Sequence, residues 1–267
     1  MSAADNQGGS NGQPIPQAVA ELAGQLSEAE DESRRRRLAR QIASLPGRTG
    51  HATKRHFGAG RIAVRHGTRA GSATLRGLQA SGQWLTAQAL VMAPKVPIRS
   101  NSTLRAQNPG LQTEQLADRL IAGAARASAG VGAAVGAAAA VPFIPTVPLE
   151  LGVETLALVA IELKLIAELH EVYGHPAPGT AAQRMLAYTG AWAERRGVRA
   201  TSSGLALAVG SPLRRRLERR LLAKAGESAL ALTPLLIGAA AGALIDHHET
   251  HKLGILVRDD LRTRGQS

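Results

Sequence analysis

Two stretches of the sequence, residues 127–149 and 228–245, contain no charged residue and consist mainly of Ala, Gly, Leu and Ile. Such segments are too apolar for a protein surface and too rich in small residues for a core of bulky side chains. Helices made of them can approach one another backbone to backbone, in a protein interior or in lipid. Both stretches lead into polar residues: the first into Glu150 and Glu154, the second into residues 246–251. These features constrain the fold more than any other part of the chain.

The composition favours a helical protein. The chain has 267 residues, enough to bury a sizeable core, but it has only two Phe, two Trp and two Tyr. Side-chain volume must therefore come from Leu, Ile, Val and Ala, and no segment alternates apolar and polar residues as a strand does. The chain has no Cys, which excludes disulfides, thiolate metal sites and Cys nucleophiles. We therefore predict an all-α protein.

Hydrophobic periodicity and the positions of Pro and Gly predict the order of helices. A Gly/Ala-rich hairpin over 113–173, whose second helix ends at Gly174, should pack against an apolar helix over 228–257. Shorter helices are expected over 180–196 and 202–225, and a proline-containing loop over 94–109. The predicted organisation is a disordered tail (1–15), a charged helix (16–44), a linker (45–60), a helical domain (61–260) and a second tail (261–267).

The charge is concentrated in one segment. Residues 33–113 contain fifteen Arg and Lys and no Asp or Glu, whereas residues 1–32 contain six acidic residues and no basic ones. In the charged helix, Glu30 with Arg34 and Asp31 with Arg35 have the spacing of helical ion pairs. Six further arginines are expected to contact an anionic membrane or an acidic partner, because their spacing places them on basic helix faces. They are Arg61, Arg65, Arg69, Arg214, Arg215 and Arg219.

Neither apolar stretch is a convincing membrane span. A spanning helix needs about 20 continuous apolar residues, and here prolines or glutamates interrupt the runs. The polar N-terminus lacks the basic and apolar regions of a secretory signal. We therefore expect a protein that is cytoplasmic or peripheral on the cytoplasmic face of a membrane.

Candidate metal ligands follow the apolar stretches. His247 and His251 are four residues apart on a predicted helix, the spacing with which two imidazoles bind one ion. A third ligand would have to come from elsewhere, and Glu150 or Glu154 could supply it. In the same helix as these glutamates, residues 164, 168 and 171 share a face that we interpret as an exposed stripe of ion pairs. No phosphate-binding Gly loop or Gly-x-Ser-x-Gly motif is present.

Residues 115–260 resemble the EcsC family. The resemblance is carried by residues 162–169 followed by Val172-Tyr173-Gly174, and by residues 233–246, which resemble that family's Pro-x-x-Gly-x-x-x-Gly segment. The chain departs from the family pattern at Asp246, where Asn is usual, and at residues 175–176. The resemblance implies a helical, membrane-associated bacterial protein. It implies no established activity.

Three functions remain open at this point. The favoured one is a non-enzymatic accessory or scaffold protein whose basic segment faces anionic lipid, a membrane-protein partner or another acidic partner. The second is a metal-dependent hydrolase that uses His247 and His251 with Glu150 or Glu154. The third is nucleic-acid binding through residues 33–113, which the scarcity of aromatic residues for base stacking disfavours. No cofactor other than such a divalent metal is expected.

Overall fold

The fold was analysed in a computed structural model, which describes residues 14–48, 87–138, 147–195 and 234–265. All regular secondary structure in these ranges is helical, which confirms the predicted all-α class. A short helical stretch at 87–92 leads into a 3-10 turn, Ala93–Lys95. The seven longer helices are α1 (Ile15–Glu28), α2 (Glu32–Arg48), α3 (Asn101–Gln107), α4 (Thr113–Ala138), α5 (Val147–Val172), α6 (Ala181–Arg195) and α7 (Pro234–Arg264).

Helices α4 and α7 carry residues 127–138 and 234–245 of the two small-residue stretches, and they pack closely against each other. Their closest approach involves Gly132 and Gly242: a Cβ on Gly132 would lie 2.9 Å from the Gly242 carbonyl oxygen. Further along α7, a Cβ on Gly254 would lie 2.8 Å from Cγ1 of Ile121. These separations leave no room for a side chain, so the predicted backbone-to-backbone packing of the two stretches is confirmed.

Helix α5 is the central helix of this part of the chain. Every residue from 152 to 169 is buried, and α5 contacts each of the other six α-helices. It ends with the motif predicted at Gly174, which adopts a left-handed conformation with φ of 75°. The His175 amide donates to the His170 carbonyl and the Gly174 amide donates to that of Glu171, the paired bonds of a Schellman cap.

The charged N-terminal segment folds differently from the prediction. Instead of one helix over 16–44, it forms α1 and α2, separated by residues 29–31. The break occurs because Asp31 caps α2: its side chain accepts a 2.9 Å bond from the Arg34 amide, which leaves its own backbone non-helical. Glu30 then bonds to Arg119 on α4 rather than to Arg34. Both helices pack on the core, with Leu26 and Ile42 fully buried.

The predicted loop over 94–109 also contains more structure than expected. Residues 101–107 form α3, whose N-terminus is capped by the Ser100 hydroxyl through a 3.3 Å bond from the Thr103 amide. The expected linker beyond residue 48, the helix over 202–225 and the basic stripe over 61–69 lie outside the described residues. In the described ranges, none of the helices is both long enough and apolar enough to span a bilayer.

Candidate functional site

Helix α2 presents a basic face to solvent. Its opposite face is buried, with Leu38, Ala39 and Ile42 packed in the core. Arg34, Arg37 and Arg40 are exposed, and their three-residue spacing places them within an arc of about 120° over roughly 9 Å of helix. Three cations are therefore held side by side on a helix whose orientation is fixed by core packing.

In the part of the chain that the structure describes, the guanidinium groups of these three arginines form no ion pair. Asp31 lies nearby, and the hydrogen bond from Ser33 together with the charge of Arg37 lowers the pKa of its carboxyl. The acidic residue of the first turn, Glu32, is engaged elsewhere, because it accepts bonds of 2.8 Å from Arg35 and 3.0 Å from Arg36. The same two hydrogen bonds lower the pKa of the Glu32 carboxyl. The segment therefore contains two arginines that pair with Glu32 and three arginines that face solvent without an ion pair in the described residues.

The arginines predicted to contact anionic surfaces lie outside the described residues: Arg61, Arg65, Arg69, Arg214, Arg215 and Arg219. The α2 face was missed because the acidic and basic runs were expected to neutralise each other in a single helix. A signal was present, since Asp is a preferred N-cap residue and Glu32, which follows Asp31, suits the first turn of a helix. Placing the cap at Asp31 would have separated Arg34 from Glu30.

A buried charge cluster lies at the junction of α1, α5 and the segment before α3. The Lys164 ammonium is 1% exposed and bonds to Glu168 at 2.5 Å, to Glu28 at 2.8 Å and to the Pro97 carbonyl at 2.6 Å. Arg99 completes the cluster with two bonds to the Glu168 carboxylate, of 2.8 Å and 2.7 Å. Two cations and two anions thus balance one another.

The cluster corrects the prediction of an exposed ion-pair stripe on α5, because Lys164 and Glu168 are both buried. Burial alone would raise the pKa of Glu168, but the hydrogen bonds from Arg99 and the charge of Lys164 outweigh it and lower that pKa. The third residue of the predicted stripe, Glu171, lies at the edge of the charge cluster and pairs with Arg184 on α6 at 3.1 Å. Because the charged groups bond to one another, the arrangement is suited to joining helices.

A second cluster, of hydrogen-bonded polar side chains, joins four helices in the interior. The Trp192 indole on α6 donates to Glu162 on α5 at 2.6 Å, and the Thr250 hydroxyl on α7 donates to that of Ser128 on α4 at 2.8 Å. Thr250 also lies 3.4 Å from the Glu162 carboxylate. One helical turn from Thr250, Asp246 is buried where the Gly132 Cα faces α7. The absence of a side chain at Gly132 makes space for this carboxylate.

The predicted metal ligands are placed differently from one another. His247 and His251 are exposed on α7 with their rings stacked, whereas Glu154 is buried. The side chain of Glu150 lies outside the described residues. Among the described side chains, no three His, Asp or Glu residues are grouped so that they could hold one ion. The metal centre of His247 and His251 with Glu150 or Glu154 therefore stays a prediction.

A small open cleft of about 340 Å³ lies at the C-terminal end of α5. Glu114 forms one wall, accepting bonds of 2.9 Å from the Tyr173 hydroxyl and 2.8 Å from Arg262. Burial and the Glu114 carboxylate raise the pKa of Tyr173. Tyr173, the first residue of the pair that resembles the EcsC Tyr-Gly motif, thus lines a cleft in which Glu114 and Arg262 are already paired with each other.

No family model matches the chain, and neither a curated protein nor a solved structure matches it at a significant level. The resemblance to the EcsC family therefore stays a prediction.

Proposed function

We propose that this protein is a non-enzymatic helical scaffold that binds an anionic membrane surface through the basic face of α2. The observation that carries the proposal is the row of exposed arginines, Arg34, Arg37 and Arg40, whose guanidinium groups form no ion pair in the described residues. Fixed cations attract an anionic leaflet by about 1 kcal/mol each when they lie near its surface.

The position of the row in the sequence supports the same proposal. It begins the segment 33–113, in which all fifteen charged residues are basic. The buried face of α2 is anchored by Leu38 and Ile42, so the arginines are presented without further ordering of the backbone. A preorganised basic face needs little conformational entropy to bind a flat surface.

The interior supports a scaffold rather than a catalyst. The most unusual ionisable groups, Lys164 and Glu168, are bonded within the charge cluster, and Glu162 is bonded to Trp192. Each of these contacts joins different helices or stiffens α5. Their chemistry is therefore suited to holding the bundle together.

Co-sedimentation with vesicles tests the proposal. The full chain is mixed at low salt with vesicles of phosphatidylglycerol and phosphatidylcholine, or of phosphatidylcholine alone. We expect retention on the anionic vesicles only, decreasing as salt rises to 0.5 M because exposed charges are screened. In the variant Arg34→Gln/Arg37→Gln/Arg40→Gln, the loss of about 3 kcal/mol predicts roughly 100-fold weaker binding.

A matched control distinguishes the contribution of the α2 face from the effect of the protein's net charge. The variant Arg105→Gln/Arg126→Gln/Lys252→Gln removes the same three charges from exposed positions on α3, α4 and α7. It should bind vesicles nearly as well as the unaltered chain. Equal weakening by both variants would contradict the proposal, and so would tighter, α2-dependent binding to RNA or duplex DNA than to vesicles.

A further inference from the structure

Helix α7 carries three exposed histidines on its outer face: His247, His248 and His251. Two of them have a specific mutual geometry. The rings of His247 and His251 are nearly parallel, with an angle of 10° between their planes and 6.2 Å between their centroids. The other side of this turn is anchored in the core through Asp246 and Thr250, which are both buried.

We propose that His247 and His251 together bind one divalent transition-metal ion, of the class of Zn²⁺, Ni²⁺ or Cu²⁺. Residues four apart on a helix project side by side, so their imidazoles can bind the same ion. Imidazole nitrogen is a preferred ligand of these ions, in contrast to Mg²⁺ and Ca²⁺, which select oxygen. No other side chain has to move for the ion to reach the pair, because both rings are exposed.

The two rings lie within side-chain rotations of the arrangement that a single bridging ion requires. With metal–nitrogen bonds of about 2.0–2.1 Å, an ion lies about 3 Å from the centre of each imidazole ring. Two rings that share an ion in neighbouring tetrahedral positions therefore have centroids about 5 Å apart, roughly 1 Å less than the 6.2 Å in the structure. Because the ion lies in the plane of each ring, the two nearly parallel rings must also rotate toward each other, and exposed side chains are free to make these rotations.

This site differs from the metal centre expected from the sequence. Glu154 is buried in the bundle while both imidazoles face solvent, and the described residues supply no group of three ligands. The site is therefore open, with water or an external ligand in the remaining positions. An open pair of this kind is suited to reversible binding rather than to a permanent structural metal.

Ion binding should stabilise α7. The two histidines are in register only when the turn between them is helical, and that turn places Asp246 and Thr250 in the core. An ion that binds the folded state alone raises its stability as the free ion concentration exceeds the dissociation constant. Metal binding at the surface is thereby linked to the packing of α7 against α4.

Calorimetric titration of the full, tag-free chain with ZnCl₂ and NiCl₂ at pH 7.5 tests the proposal. We expect saturable binding and a rise in melting temperature with ion concentration. His247→Gln and His251→Gln should each weaken this binding by about tenfold or more, because the second ligand acts at high effective concentration only when the first is present. MgCl₂ should produce neither effect.

The matched control is His248→Gln, at a histidine that is also exposed on the same turn. It should change the affinity by less than about twofold, whereas a loss as large as that of His247→Gln would overturn the proposal. Absence of saturable binding, or binding unchanged in His247→Gln/His251→Gln, would also overturn it. Circular dichroism of each variant verifies that a lost affinity does not reflect unfolding.

Discussion

The close contact between α4 and α7 predicts that two neighbouring glycines respond in opposite ways to the same substitution. In Gly132→Ala, the new methyl group would lie 2.9 Å from the Gly242 carbonyl oxygen and would collide with a carboxylate oxygen of Asp246. The carbonyl belongs to the backbone, so the two helices must separate. In Gly130→Ala, the nearest atom is the Ala39 Cβ at 3.7 Å, an ordinary contact.

The expected magnitudes follow from two opposing effects. Replacing Gly by Ala within a helix stabilises it by up to about 1 kcal/mol, and this gain applies at both positions. Overpacking costs about 1–3 kcal/mol and applies only at Gly132, where displacement of the buried Asp246 adds to it. We therefore expect Gly132→Ala to lower the free energy of unfolding by about 1–2 kcal/mol, and Gly130→Ala to raise it by up to about 1 kcal/mol.

Thermal and urea unfolding, followed by circular dichroism at the helical band, measure these differences. A change of 1 kcal/mol shifts the melting temperature of a chain of this size by about 2–4 °C, so the two variants should differ by several degrees. Gly242→Ala should have a smaller effect, because its Cβ would lie 3.2 Å from the Gly132 oxygen. Unchanged or increased stability of Gly132→Ala would refute the close packing of α4 on α7.

Three further predictions concern the ionisable groups. Lys164→Met should destabilise the protein by about 3–5 kcal/mol in urea unfolding because it removes a buried cation from the buried carboxylate of Glu168, whereas the exposed Lys95→Met should change stability by less than about 0.5 kcal/mol. The pKa of Glu168 in the folded state is below its ordinary value of 4.5, so at acidic pH this carboxyl binds more protons in the unfolded chain than in the folded one. The free energy of unfolding should therefore fall as the pH drops below about 4.5, and it should fall less steeply in Glu168→Gln. Burial raises the pKa of both tyrosines, Tyr173 and Tyr188, above the ordinary value of 10.0, so ultraviolet titration of the native protein at pH 10 should show less phenolate than the unfolded chain does; equal phenolate absorbance in the two states would contradict the prediction.

The fold was predictable where local sequence decided it. Small residues at Gly132 and Gly242 could only serve close helix packing, and Gly174 followed by Pro176 marked the end of α5 within one residue. Helix boundaries were missed where a side chain competed with the backbone, as Asp31 does between α1 and α2. The periodicity of apolar residues does not reveal side-chain caps such as those of Asp31 and Ser100, so it did not predict where α2 and α3 begin.

The charge cluster was not predictable from local sequence. Lys164 and Glu168 have the spacing of a solvent-exposed pair, and periodicity alone does not distinguish that from a buried pair. Their burial depends on Arg99, which lies 69 residues before Glu168, and on Glu28 of α1. The available signal was the apolar character of α5 on nearly every side, which leaves little surface for an exposed stripe.

The same cluster explains why α1 is attached by more than apolar contacts. Lys164 is 1% exposed and lies 2.8 Å from Glu28, while Arg99 lies 3.5 Å from the same carboxylate. Without Glu28, two cations would share only the carboxylate of Glu168, and an excess positive charge would remain in a buried site. Leaving such a charge uncompensated costs several kcal/mol, more than burial of one of α1's alanines contributes. The acidic end of α1 therefore fixes the position of that helix on α5, and α2, which follows after three residues, is held with its basic face toward solvent.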